Sequence, residues 1–235
     1  MKPEFSIIVP VYHEIDTIAR CVRFIESLEE SDRAEIIVTD GGGGSTLPSI
    51  PDSTVPVRSV VTRPGRGYQI HEGCRIAAGR SVLVLHVDTR LPKRALPAIR
   101  EALHTHAAGA FDLSIRSSNP VVRMIGIVGR MRSRLSRVPY GDQAHFFRSD
   151  VLNAVGGYPE VPLMEDVAFM DELKKRGIPI VILPLKSRTS GRRWEKEGTI
   201  YTTARNWAIL TAYRFGAEPQ TLLRWYRTHR APEQP

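Results

Sequence analysis

What most constrains this chain is the alternation of short, apolar, β-branched runs with helix-patterned segments in its first half. Phe5 to Val11 (FSIIVPV) is such a run, closed by proline. Glu14 to Leu28 follows, with Ile15, Ile18, Val22, Ile25 and Leu28 at three-and-four spacing. The first reads as a buried strand and the second as an amphipathic helix. Ala34 to Thr39 repeats the strand pattern and ends at Asp40 and four glycines. Val55 to Val61 reads as a third strand, with Pro56 placing it at an edge. Tyr68 to Ala78 reads as a helix stopped by Gly79, and Ser81 to Leu85 as the next strand. Such alternation predicts an α/β fold with a mostly parallel central sheet flanked by helices.

Ligands of such sheets bind beyond the carboxyl ends of the strands. Three of those ends carry acidic residues: Glu14 after Pro10-Val11-Tyr12-His13, Asp40, and Asp88 after His86-Val87. A carboxylate at the mouth of an apolar strand is costly unless it is solvated, paired or bound to a cation. The pattern therefore predicts that the three converge on one cleft.

The second half is less regular. Leu96 to Ala107 reads as helix, Phe111 to Ile115 as strand, and Gln143 to Phe147 as strand. Asp150 to Val155 reads as a short helix with an Asp cap, and Asp166 to Arg176 as another closed by Gly177. Ile178 to Leu185 reads as a strand with proline breaks, and Thr199 to Arg227 as helix broken near Gly216 and Pro219. Between them, Pro120 to Val138 interleaves apolar residues with Arg123, Arg130, Arg132, Arg134 and Arg137. It reads as a basic amphipathic helix: a solvated face, or an interfacial helix meeting anionic lipid.

With 235 residues, ordinary apolar and charged content and a net charge of +8, the chain is globular and favours anionic partners. No helix-turn-helix, RNP or finger pattern accompanies that charge, so nucleic acid is not expected. Cys21 and Cys74 stand apart, which argues against a disulfide framework or a zinc site and fits a reducing cytoplasm. No leader and no spanning apolar run is read, so the expected location is cytoplasmic, at most peripheral to a membrane.

Three clusters carry possible chemistry. "DGGGGST" lacks the lysine of a phosphate-binding P-loop, so its glycines read as a flexible loop, whereas Asp40 can accept from a base or ribose. In "HVDT", Asp88 reads as a ligand for Mg²⁺ or Mn²⁺ or as a helix cap, and His86 as an interior histidine or a further ligand. In "VPLMEDV", Glu165 and Asp166 read as helix-start carboxylates or as the site of a general base.

"SIIVPVYHE", "VTDGGGGST", "LHVDTRLP", "YGDQ", "GGYPEVPLMEDVAF" and "GRRWEKEG" occur in the order found in glycosyltransferase family 2, which the chain resembles from about Phe5 to Trp207. It looks closest to a bacterial subgroup described as radical-SAM/selenodomain-associated transferases. The resemblance implies the inverting GT-A fold, Rossmann-like, over residues 1–190, with 191–235 as a C-terminal helical extension packing on the same domain. It implies a UDP- or GDP-sugar donor and a hydroxyl acceptor, lipid-linked if residues 120–138 meet a membrane. Pro10, Tyr12 and Glu14 match the residues around the base and ribose, with His13 where asparagine is usual. Asp40 matches a nucleotide-contacting aspartate, and Arg63 and Arg66 match basic residues near the donor. Asp88 matches the last aspartate of D-x-D, the anchor of the metal and diphosphate, with His86 at the first position. Asp166 matches the catalytic base, beside Glu165. Arg192, Arg193 and Trp194 resemble a segment that closes over the diphosphate, and Gly141, Asp142 and Gln143 are expected on the acceptor side. An inactive nucleotide-binding scaffold of the same fold is the alternative.

Overall fold

The computed structural model describes residues 2–228, without the side chains of Arg193, Lys196, Arg227 and Thr228; the tail of the expected extension, 229–235, lies outside the described residues. Its elements are β1 (Phe5–Val11), α1 (Ile15–Glu26), β2 (Ala34–Asp40), β3 (Val57–Val61), α2 (Arg66–Ile76), β4 (Ser81–Val84), α3 (Ala95–Leu103) and β5 (Ala108–Arg116). Then come α4 (Pro120–Ser136), β6 (Phe146–Arg148), α5 (Asp150–Val155), α6 (Glu165–Lys175), β7 (Ile180–Ser190), α7 (Arg192–Glu197), α8 (Thr199–Arg214) and α9 (Pro219–Thr228). The seven strands form one sheet in the order β3-β2-β1-β4-β6-β5-β7. Only β6 runs antiparallel to its neighbours; β3 is an edge, as Pro56 suggested.

Period-two alternation sorts the central strands into two apolar faces. Phe5, Ile7, Val9 and Val11 of β1 pack with Ile18, Val22 and Ile25 of α1 and with Leu96 and Ile99 of α3. Ile8, Ile37, Val82 and Val84 face the other way, with Ile70 of α2 and Val167, Phe169 and Met170 of α6. The sheet is thus the middle of three layers, and the carboxyl ends of β1, β2 and β4 open on one side. Among the described residues no helix is long and apolar enough to cross a membrane.

Several expectations shift. The strand expected from Gln143 begins at Phe146, because Gly141–Gln143 form a 3-10 turn. Asp150 does not cap α5: Ser149 holds the N-cap position, and Asp150 pairs with Arg148 at 3.1 Å. The strand expected to end at Leu185 continues to Ser190, passing its proline through an irregularity opposite Phe111 and Asp112. A short helix, α7, occupies the R-R-W segment.

Candidate functional site

Asp40 is fully buried where β2 ends. Its Oδ1 accepts from the Gly42 amide at 2.6 Å and its Oδ2 from the Thr46 amide at 2.8 Å. The glycine loop is therefore held by Asp40, where sequence suggested a flexible loop. Gly43 and Gly44 take φ of +69° and +88°, which L side chains rarely adopt, and a Cβ on Gly42 would come within 3.1 Å of the His13 backbone nitrogen. His13 reaches the far side of the loop, its Nδ1 2.8 Å from Ser45 Oγ, while the Thr46 hydroxyl accepts from the Glu14 amide. Tyr12 stays about half exposed, its ring edge-on to His13. Pro10 is buried within β1, opposite Thr39.

Sequence reasoning missed Gln69. Buried on α2, it donates to the carbonyls of Val11 at 2.6 Å and Thr39 at 2.8 Å, tying the ends of β1 and β2 together under Gly41. A glutamine on the apolar face of a helix was the available signal. The β4 end joins the same region. Burial pushes the Cys21 thiol up to about 12, with Arg90 opposing the shift and Asp88 and Glu14 both adding to it. The parallel pairing of β1 with β4 sets Glu14 and Asp88, which follow these two strands, at the same edge of the sheet.

The second centre lies at the start of α6. Glu165 is 1% exposed, and its Oε1 sits 2.8 Å from Arg66 Nε. Burial raises the Glu165 carboxyl to about 7, against the opposing pull of Arg66, and Asp166 pushes it the same way as burial. Asp166 Oδ1 accepts from the Val167 amide at 2.8 Å, and its Oδ2 accepts from the Gly141 amide at 2.7 Å. A Cβ built on Gly141 would come within 3.1 Å of His86 Cε1 and Nε2 and 3.4 Å of Asp166 Oδ2. The His86 turn and the α6 carboxylate, 80 positions apart in the chain, thus meet across one glycine. Burial lowers the Arg132 guanidinium, while Tyr140, Asp142 and Asp166 oppose that shift, which puts Asp142 and Asp166 near one cation.

The remaining expected residues have other surroundings. Gln143 is fully buried, donating to the Phe111 carbonyl and Ser133 Oγ and accepting from the Tyr140 amide; it supports the turn and has no face toward an acceptor. Trp194 packs beside Leu113, Ile115 and Val122. Arg192 is exposed at the start of α7, and the Arg193 side chain lies outside the described residues. Arg63 pairs with Glu160 at 3.0 Å and lies over the Tyr68 ring at 3.6 Å, on the rim. Among the described residues no group of three or more His, Cys, Asp and Glu could hold a metal. One carboxylate with a neighbouring imidazole fits a cation that arrives with a diphosphate, not a resident ion caged by protein.

A model of glycosyl transferase family 2 matches residues 6–158. No curated protein matches the chain. Among solved structures, a mannosyltransferase of Pyrobaculum calidifontis in complex with GDP-Man and Mn²⁺ superposes with a TM-score of 0.62 at 18% identity, over 95% of this chain and 69% of that one. TarS 1-349 of S. aureus with UDP-GlcNAc gives 0.60 at 17%, over 80% of this chain and 58% of its own. Glucosyl-3-phosphoglycerate synthase of Mycobacterium tuberculosis, with Mn²⁺, UDP and phosphoglyceric acid, gives 0.57 at 17%, over 78% and 69%. At these identities the likeness is one of fold. It confirms the GT-A architecture, and the chain spans less than two thirds of the TarS length.

Proposed function

Since the chain belongs to glycosyl transferase family 2, we propose that it is an inverting transferase that moves a sugar from a UDP- or GDP-sugar to an acceptor hydroxyl. The acceptor oxygen forms its bond to the anomeric carbon as the bond to the diphosphate breaks on the opposite face. The acceptor's proton goes to Asp166. Each Asp166 oxygen accepts one amide hydrogen, and each keeps a further lone pair for that task. Arg66, whose charge Glu165 reinforces, supplies a fixed positive group beside Asp166. Glu14 and Asp40 shape the nucleotide end, Asp40 through the loop it holds. A divalent cation, Mn²⁺ or Mg²⁺, would be held by Asp88 and the diphosphate beside His86 and would supply Lewis-acid stabilisation of the leaving charge. We further place the enzyme in the cytoplasm, in the radical-SAM/selenodomain-associated subgroup, with residues 1–190 as its catalytic unit, 191–235 as an extension on it, and residues 120–138 at the inner membrane face.

One observation carries this reading: the imidazole of His86, two residues before the proposed anchor Asp88, and the Asp166 carboxylate meet at Gly141. A panel of nucleoside diphosphates and nucleotide sugars, with and without Mn²⁺, tests the donor. A ligand that binds only the folded state must raise the melting temperature. At least one UDP or GDP compound should do so, more strongly with Mn²⁺; no shift with any of them defeats the reading. Asp166→Asn should keep that shift and lose about 10²–10⁴-fold in turnover. Turnover near wild type removes Asp166 from the chemistry.

A further inference from the structure

Helix α4 docks on β5 by its small residues. Val122, Gly126 and Ser133 are its buried positions, and a Cβ on Gly126 would come within 3.2 Å of the Ile115 backbone nitrogen. Apart from Val122 and Ile125, which pack inward, its large apolar side chains point outward: Val121 is 55% exposed, Met124 57%, Val128 50%, Met131 57% and Leu135 84%. They recur every three or four residues and so form one stripe along the helix. By the same periodicity Arg123, Arg130 and Arg134 fall along one edge of the stripe, while Arg132, on the other edge, turns back to donate to the Val138 carbonyl at 2.8 Å and to lie over the Tyr140 ring. Residues 120–138 contain five arginines and no acidic residue. Of these five, only Arg134 has an ion-pair partner among the described residues, Asp112. At the amino end of the stripe, the N-cap Asn119 touches Thr199, and the next residue, Ile200, is 85% exposed.

We infer that this face of α4 lies on an anionic lipid surface, with the apolar stripe entering the headgroup boundary and Arg123 and Arg130 contacting lipid phosphates. Charge decides between lipid and a second copy of the chain. An antiparallel pair of α4 helices would set arginine edges against each other, with no carboxylate on the helix to offset them. An anionic bilayer supplies the missing charge while covering the apolar stripe. Long arginine stems can lie along that stripe with their heads in the phosphate layer. The inference deepens the membrane part of the proposed function and is independent of its donor part. It also bears on the acceptor side, because the chain leaving α4 reaches Gly141 within five residues.

Co-sedimentation with vesicles tests it. Wild-type protein should pellet with phosphatidylcholine–phosphatidylglycerol vesicles, should not pellet with phosphatidylcholine alone, and should be released by salt. Met124→Glu/Met131→Glu, at positions already exposed, should lower the partition about tenfold while leaving the nucleotide-induced thermal shift unchanged. Should that variant fail to fold by circular dichroism, Met124→Gln/Met131→Gln replaces it. Three results overturn the proposal: no pelleting of the wild type, equal pelleting of the variant, or a dimer in light scattering that the variant splits without any vesicle binding. Vesicle binding without any nucleotide shift instead leaves this inference standing and defeats the donor assignment.

Discussion

Helices α1 and α4 carry the same kind of sequence pattern and use it in opposite ways. In α1 the large apolar residues Ile18, Val22 and Ile25 are fully buried against the sheet. In α4 most of the equivalent stripe faces solvent, and the contact with β5 is made by buried Val122, Gly126 and Ser133 with partly buried Ile125 beside them. Apolar periodicity therefore says that a helix has two unlike faces; it does not say which face meets the protein. The size of the residues opposite the stripe decides that. Where they are glycines, the backbone approaches closely and the small face docks.

The comparison can be broken by swapping a charge into each stripe. Ile25→Asp in α1 should cost about 4 kcal/mol or more, since it buries an unpaired carboxylate. Val128→Asp in α4 should stay within about 0.5 kcal/mol. Denaturant titration reads both, and equal losses would mean that the α4 stripe is covered in the free protein. Helix α6 sharpens the contrast because it buries charge at its start. Burial holds the Glu165 carboxyl at about 7, so the folded state keeps a proton that the unfolded chain has lost. Stability should therefore fall as pH rises from the ordinary carboxylate range through about 7, by on the order of 1–3 kcal/mol. Glu165→Gln should flatten that fall in melting curves, and an unchanged slope would place the titration elsewhere. A further, moderate effect is expected at the docking face of α4. Gly126→Leu should cost about 1–2 kcal/mol, since crowding against Ile115 outweighs the gain in helix propensity. Gly126→Ala, where the two terms nearly cancel, should be close to neutral.

The order of elements was legible because each strand in the first half is apolar on both faces, as a covered parallel sheet requires. The second half was harder to read. β6 is three residues long, and the turn before it is set by Gln143, whose contacts with Phe111 and Ser133 are distant in sequence. Asp88 and Asp166 stood out because carboxylates next to apolar runs need a reason. Gln69 did not, because its role is to join two carbonyls that only the folded sheet brings side by side. Trp194 was marked by a motif resemblance, and in the fold its ring packs partly buried against Leu113, Ile115 and Val122, contacts that sequence distance hid.

Gly141 has a mechanical consequence. One oxygen of Asp166 is tethered to its amide, and the imidazole of His86 lies against the hydrogen that stands where a side chain would be. No methyl group separates the two, so a ligand that pushes the 86–89 turn also displaces the tether. On the proposed assignment of the site, loading one half of the cleft would then reset the aim of the carboxylate in the other, and the order in which donor and acceptor arrive would matter.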